Sequence, residues 1–312
     1  MSTLEDIQRT FARYEPIVDD WAAFCAALAR PLPTCVWTNT LRTSPEALAS
    51  WFERLNLQMP ALSWHPQAFK YTQNANVSFG TLFPMVTGMC HIQEEVSLMP
   101  TVILGQYPGQ RVLDMCAAPG GKTAHLAVQL GNQGTVVAND RSYQRLRALR
   151  GIVDRLGLVN ITMTHWDATS LPGDIGLFDR VLADVPCSCE GTSRKNHSVV
   201  QSLDIHEYTA LAKVQRAIMM RALKLVRPGG VIVYSTCTYA PEENECVLQD
   251  ILDAAPDRVE ILPTRLDGVT YAPGLLRWEG RDFDPSMANA MRLYPHHNDT
   301  GGFFVATLRR KE

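Results

Sequence analysis

From residue 111 to residue 236 the chain keeps repeating one unit, a short aliphatic run, a bend, and usually an amphipathic stretch. The runs are "RVLDMCAA", "GTVVAND", "ITMTHWD", "RVLADVP" and "GGVIVYST"; the amphipathic stretches are "GGKTAHLAVQL", "RSYQRLRALRGIVDRL" and "ALAKVQRAIMMRALKLV". Strands separated by helices imply crossovers between parallel neighbours, with both faces of the sheet covered. The predicted fold class is therefore α/β, a doubly wound, Rossmann-like sheet. A helix at "ENECVLQDIL" and strands at "RVEIL" and "GFFVATLRR" close the series. Sheets of this kind bind ligands at the carboxyl ends of their strands, so the residues that follow each strand carry the functional information.

The first of these positions reads "CAAPGGKT", residues 116–123. Its Gly-Lys-Thr tail matches the end of a phosphate-binding loop, but the G-x-x-x-x-G-K-[ST] pattern needs glycine where Cys116 stands. A Gly-rich bend entering a helix still suits a nucleotide-like cofactor, which makes Cys116, Ala117, Ala118, Pro119, Gly120, Gly121 and Lys122 candidate contacts. Asp140 ends the second strand, 20 residues after Gly120, where a carboxylate can accept both hydroxyls of a ribose. Asp167 ends the third strand and Asp184 the fourth. A dinucleotide would also use Asp140, but the glycines do not follow G-x-G-x-x-G and two further motifs would be left without a role.

Those motifs are "DVPCSCEG" after the fourth strand and "YSTCTYAPEENE" at the end of the fifth. Adjacent strand ends bring Cys187 and Cys237 together beside the cofactor position. Buried cysteine is commonly a small apolar filler, yet a loop at the ligand edge is where filler is least needed. A nucleophilic thiolate is the better account, with Lys122 as the cation that lowers its pKa.

Upstream the pattern is less regular. Residues 1–34 read as a helical lead-in, opened by a capping box at Ser2–Glu5 and limited by Pro16 and Pro31. Residues 35–100 read as a small α+β module, with a strand at "CVWTNT" and a Ser44-capped helix at "TSPEALASWFERL"; residues 101–312 form the large domain. The net charge of −3 places any nucleic-acid contact on a local patch. No apolar run marks a signal peptide or membrane span, so a cytoplasmic protein, expected to be monomeric, follows. The eight cysteines include no C-x-x-C pair and no matching His spacing, so the thiols are read as reduced and no metal is expected.

Taken together, "DMCAAPGGKT", "DVPCSCEG" and "YSTCTYAPEENE", with "VWTNTLRTSPEAL", "HIQEEVSLMP" and "RLYPHHNDTGGFFVATLRR", resemble the Sun (Fmu-like, RsmB/RsmF-type) family of S-adenosylmethionine-dependent RNA 5-methylcytosine methyltransferases. The similarity runs from about residue 35 to residue 310. It implies a methyltransferase sheet with an antiparallel last strand, preceded by an RNA-recognition-like module. It implies that residues 116–122, Asp140, Asp167 and Asp184 bind S-adenosylmethionine, that Cys237 is the nucleophile, and that Cys187 assists product release. The chain departs from the family at Cys189, where glycine is usual, and at Val96-Ser97, where a Ser-Ser pair is usual.

The chemistry of such a reaction accounts for these residue types. Carbon 5 of cytosine is a poor nucleophile until a thiolate adds to carbon 6. Asp184 would stabilise the charge that develops on the ring, helped by Lys122. The base must leave its stack, which favours structured RNA with accessible loops, ribosomal RNA foremost and transfer RNA as the alternative. Arg194 and Lys195, just past the cysteine loop, are the candidate RNA contacts, whereas Arg141, Arg145, Arg147 and Arg150 read as a solvated helix face. His296 and His297 read as a polar active-site loop. Two other readings remain, a P-loop nucleotidase and a catalytically silent RNA-binding assembly factor.

Overall fold

The computed structural model of the chain describes residues 4–73, 77–196 and 205–312. Ser2 and Thr3 of the expected capping box, and His197 near the cysteine loop, lie outside the described residues. A smaller antiparallel sheet is ordered β2–β3–β1–β4, from β1 (Thr34–Thr38), β2 (Ala61–Leu62), β3 (His65–Tyr71) and β4 (Cys90–Ile92).

The larger sheet contains β5 (Arg111–Asp114), β6 (Thr135–Asn139), β7 (Ile161–Thr164), β8 (Phe178–Asp184), β9 (Val226–Thr236), β10 (Val259–Leu262) and β11 (Ala272–Pro273). After a short hairpin of β12 (Arg277–Trp278) and β13 (Arg281–Asp282), it is completed by β14 (Met291–Leu293) and β15 (Phe303–Arg310). Its order is β11–β14–β15–β9–β8–β5–β6–β7, with β10 also paired to β15. Strands β5 to β9 are parallel to their neighbours, and β15 runs antiparallel to β9.

Helices cover both faces. One face buries Leu126, Val128, Leu149 and Val153 from helices Gly121–Gln129 and Tyr143–Leu156; the other buries Ile218, Met219 and Leu223 from helix Ile205–Leu225 with Leu248 and Ile251 from helix Glu245–Ala254. Local chemistry fixes the ends of Tyr143–Leu156. The Ser142 hydroxyl accepts the Arg145 amide, and Gly157 terminates the helix at φ 72°, a conformation for which a residue without Cβ is suited. Helix Gly121–Gln129 begins after Gly120 at φ +116°, where an added Cβ would meet Leu149 at 3.0 Å.

The small sheet is fused to the large one. Fully buried Trp37 donates to Gln93 Oε1 at 3.0 Å, and Trp37, Cys35, Leu62 and Ala68 share a core with Leu126 and Leu130. In the lead-in, Phe11, Tyr14 and Phe24 pack against Tyr239 and Tyr294, so the first helices brace the segment that follows β9.

Candidate active site

A cavity of about 690 Å³ opens at the carboxyl edge of β5 to β9. Its wall includes Met115, Cys116, Ala118, Pro119 and Lys122 after β5, Asp140, Arg141 and Arg145 after β6, and Asp167 to Thr169 beyond β7. Asp184 to Cys187 and Cys189 follow on β8, Cys237 on β9, and Phe303 on β15. Glu94, Val96 and Ser97 enter from the segment after β4. Thus Asp140, Asp167, Asp184, Lys122, Cys187 and Cys237, separated by up to 115 residues in sequence, line one cavity.

The sulfur atoms of Cys187 and Cys237 are 3.4 Å apart, and the Cys237 amide donates to the Cys187 sulfur at 3.3 Å. Cys189 turns its thiol toward the Cys187 carbonyl at 3.2 Å. Hydrogen bonds from the Cys187 and Cys237 thiols, with the Arg145 and Lys122 charges, hold the Cys189 thiol below its ordinary range. The bond to Cys189, the bond to Cys237 and burial push Cys187 up. Cys237 is drawn down by Cys187, but its bond to Cys189 and its burial raise it overall. The lowered pKa expected for a Cys237 nucleophile is therefore absent in this arrangement. Lys122, the cation expected to lower it, donates to Asp184 Oδ2 at 2.9 Å. The other carboxylate oxygen of Asp184 accepts from Ser235 at 2.8 Å.

Two buried carboxylates set the cysteine loops. Glu190 accepts from the hydroxyls of Tyr14 (2.8 Å), Tyr208 (2.6 Å) and Thr238 (2.7 Å) and from the Tyr239 amide (3.2 Å). It ties the Cys187 loop to the residue following Cys237 and to the lead-in. Glu243 accepts from the Ser188 amide at 3.1 Å and from Gln215 at 2.7 Å, and burial pushes it up to about 7. Neither was recognised from sequence as a site residue; their signal was an acid placed immediately after a cysteine motif and a run of acids in "PEENE".

Ala117, Gly120 and Gly121 do not line the cavity: Ala117 packs in the core, Gly120 faces Leu149, and a Cβ at Gly121 would meet the Gln93 side chain. Asp167 lies three residues beyond β7 and caps a short turn through the Thr169 amide and hydroxyl. Asp140 is buried, with one oxygen accepting the Ala118 amide and the other the Ser142 amide. Thr123, the last residue of the apparent phosphate loop, donates to buried Asp114 at 2.7 Å, so its hydroxyl serves the core.

Arg194 is not a surface RNA contact. Its side chain is 0% exposed and donates to the carbonyls of Arg30, Pro31 and Thr300 and to Asp299. Lys195 is exposed and borders a second cleft of about 340 Å³ with Arg30 and Glu94. Arg141 and Arg145 turn toward the main cavity, while Arg150 pairs with Asp154 on the outer face. His296 and His297 both contact Asp19 and stack around Tyr294, at the seam with the lead-in and away from the cavity.

Comparison with known proteins agrees with this architecture. Residues 101–309 match the family described as 16S rRNA methyltransferase RsmB/F. A tRNA (cytosine(49)-C(5))-methyltransferase of Pyrococcus abyssi is 32% identical over 298 residues, covering 96% of this chain and 94% of that protein. A 28S rRNA (cytosine-C(5))-methyltransferase of Mus musculus is 32% identical across 92% of this chain, which spans only 36% of the mouse protein. The crystal structure of a methyltransferase homologue from Pyrococcus horikoshii superposes with a TM-score of 0.86 at 32% identity, covering 100% of both chains. Sheet order, cavity and sequence agree, and the chain belongs to the RsmB/F methyltransferase family.

Proposed function

We propose that the chain methylates carbon 5 of cytosine in RNA, with S-adenosylmethionine as methyl donor and a covalent bond from Cys237 to carbon 6 of the base. The observation that carries the reading is the pair of sulfur atoms 3.4 Å apart at the ends of β8 and β9, beside the Lys122–Asp184 pair. One thiol can add to a base while the second stands within reach of the same ring.

The residues fit the cofactor. Asp140 and Asp167 stand on the β6–β7 side of the cavity, and each carboxylate oxygen has lone-pair capacity beyond the amide or hydroxyl it already accepts. Met115, Ala118, Pro119, Ala168 and Ile218 supply apolar wall, and the volume falls in the range of roughly 300–1,000 Å³ typical of small-molecule sites. When bound, S-adenosylmethionine supplies an electrophilic methyl group.

Cys237 adds through Sγ to carbon 6, which makes carbon 5 nucleophilic. Because its proton is held in the free arrangement, the thiolate forms as the base enters, and that proton passes by way of Asp184 to the ring nitrogen until Cys237 is released. Lys122 and Asp184 meet the charge that accumulates on the ring nitrogen and carbonyl. After methyl transfer the carbon 5 proton leaves to a water positioned by Cys187, the Sγ–C6 bond breaks, and Cys237 is regenerated.

Ribosomal RNA is the target expected from sequence, and the near end-to-end match to a tRNA enzyme brings transfer RNA into the same test. The chain would be incubated with methyl-labelled S-adenosylmethionine and separate ribosomal and transfer RNA fractions, followed by nucleoside analysis. Labelled 5-methylcytidine from one fraction is the expected result. Binding of RNA and S-adenosylmethionine without label in cytidine would identify a silent assembly factor instead.

A further inference from the structure

The reaction above uses two thiols, and of the other two cysteines on the cavity wall, Cys116 and Cys189, the second joins the reacting pair. The sulfurs of Cys187, Cys189 and Cys237 all lie within 4.8 Å of one another, and all three residues line the cavity. Cys189 holds φ 63°, ψ 20°, a left-handed conformation that a residue with a Cβ adopts only at a steric cost. It is held there by the two residues that follow it. Glu190 is fixed by its donors, and the Gly191 amide bonds to the Cys237 carbonyl at 2.9 Å. The strained backbone aims the third thiol at the other two.

Three thiolates around a zinc ion at about 2.3 Å place their sulfurs roughly 3.8–4.0 Å apart. The separations here, 3.4 Å for one pair and no more than 4.8 Å for any, bracket that value. Such a site would retain an open fourth position toward the cavity. Three thiolates and one dication leave a single negative charge, with Lys122 and Arg145 on the same wall to meet it. Soft sulfur ligands select zinc over magnesium or calcium.

We propose that Cys187, Cys189 and Cys237 bind one thiophilic divalent cation, of which zinc is the type, and that occupancy holds Cys237 away from the base. Binding releases the remaining thiol protons to solvent and requires no oxidant. The binding site stands on the sulfur geometry alone; its inhibitory consequence rests on the proposed nucleophilic role of Cys237. A second candidate set, Asp19 with His296 and His297, has an Asp19 side chain that is 58% exposed and serves as the control.

Full-length protein freed of metal by chelation would be titrated with zinc in equilibrium dialysis, and with cobalt(II) to read thiolate charge-transfer absorption. One zinc per chain is expected, with cobalt–thiolate bands. Cys189→Gly, which relieves the backbone, and Cys189→Ser, which retains side-chain size, should each weaken binding at least tenfold. Asp19→Asn should leave it unchanged. Methyl transfer, expressed relative to each protein's own metal-free rate, should fall at least tenfold with one equivalent of zinc, recover on chelation, and require at least tenfold more zinc in the Cys189 variants. Wild-type zinc affinity in both Cys189 variants, or binding lost in Asp19→Asn, overturns the site. Thiol-dependent binding in a protein that transfers no methyl group would retain the site and remove the proposed reaction. Methyl transfer with equal zinc sensitivity in wild type and Cys189 variants would do the reverse.

Discussion

Glu190 is the group on which the cysteine loops depend most, and its replacement gives a worked test. Its carboxylate is 0% exposed and accepts from Tyr14, Tyr208, Thr238 and the Tyr239 amide. Hydrogen bonds to a charged group are worth about 1.5–3 kcal/mol each, roughly twice a neutral bond. In Glu190→Gln the hydroxyl donors can rotate to accept from the new amide, so the bonds persist in number but lose their charge assistance. A loss of about 2–4 kcal/mol follows for the four together. Tyr14→Phe removes one donor and should cost about 1.5–3 kcal/mol. Because both changes act on the same bond, the double variant should be less destabilised than the sum of the singles, by about 1 kcal/mol or more. Equilibrium urea denaturation of the four proteins measures all three quantities. A Glu190→Gln protein within about 0.5 kcal/mol of wild type, or strict additivity with Tyr14→Phe, would refute the role assigned to this carboxylate.

Asp140→Ala should raise the S-adenosylmethionine concentration needed for half-maximal rate and leave RNA affinity nearly unchanged; calorimetry with each ligand separates the two. Lys195→Ala should weaken RNA binding and reduce the slope of log affinity against log salt by about one, whereas Arg194→Ala should principally lower stability in urea, because its donors are spent on carbonyls of the fold. Burial raises Glu243 from 4.5 to about 7, so the folded protein keeps a proton that the unfolded chain gives up above pH 4.5. Stability should therefore fall as pH rises from about 4.5 to about 7 and level off beyond, by up to about 3 kcal/mol from this residue. Asp114, raised from 3.8 to about 7 by its burial, contributes in the same direction. Urea denaturation across this pH range should show a shallower decline in Glu243→Gln than in wild type.

The parallel sheet and its ligand edge were legible because aliphatic periodicity and strand–helix alternation are local signals. That Asp140, Asp184, Lys122, Cys187 and Cys237 line one cavity was legible for the same reason: each sits at a strand end or in the segment that follows one, and strand ends converge. What escaped the sequence depends on which way a side chain turns once the chain is folded. Arg194 looked like a surface cation because it follows a polar loop, yet carbonyls from the lead-in and from Thr300 enclose it. Gly120 and Gly121 looked like ligand contacts, but their missing side chains make room for Leu149 and Gln93. Cys189 was visible as a third thiol in "DVPCSCEG", but its use with the other two was not, because Cys237 lies 48 residues beyond it and the C-x-C spacing fits no familiar zinc pattern. Short strands such as β4 and β14, three residues each, carry too little periodicity to stand out, and they form because neighbouring strands offer them an edge.

The separate roles proposed for Cys237 and Cys187 are tested most directly by trapping on RNA. Wild type, Cys237→Ala, Cys187→Ala and the double variant would be incubated with S-adenosylmethionine and substrate RNA in chelator, then resolved by denaturing electrophoresis. Cys187→Ala should add to carbon 6, transfer the methyl group and stall, accumulating a protein–RNA band that survives denaturation. Cys237→Ala and the double variant should form none, because the bond to carbon 6 never appears. A band that persists in Cys237→Ala and is missing from Cys187→Ala would reverse the two roles, and methyl transfer undiminished in both single variants would contradict the thiol mechanism itself.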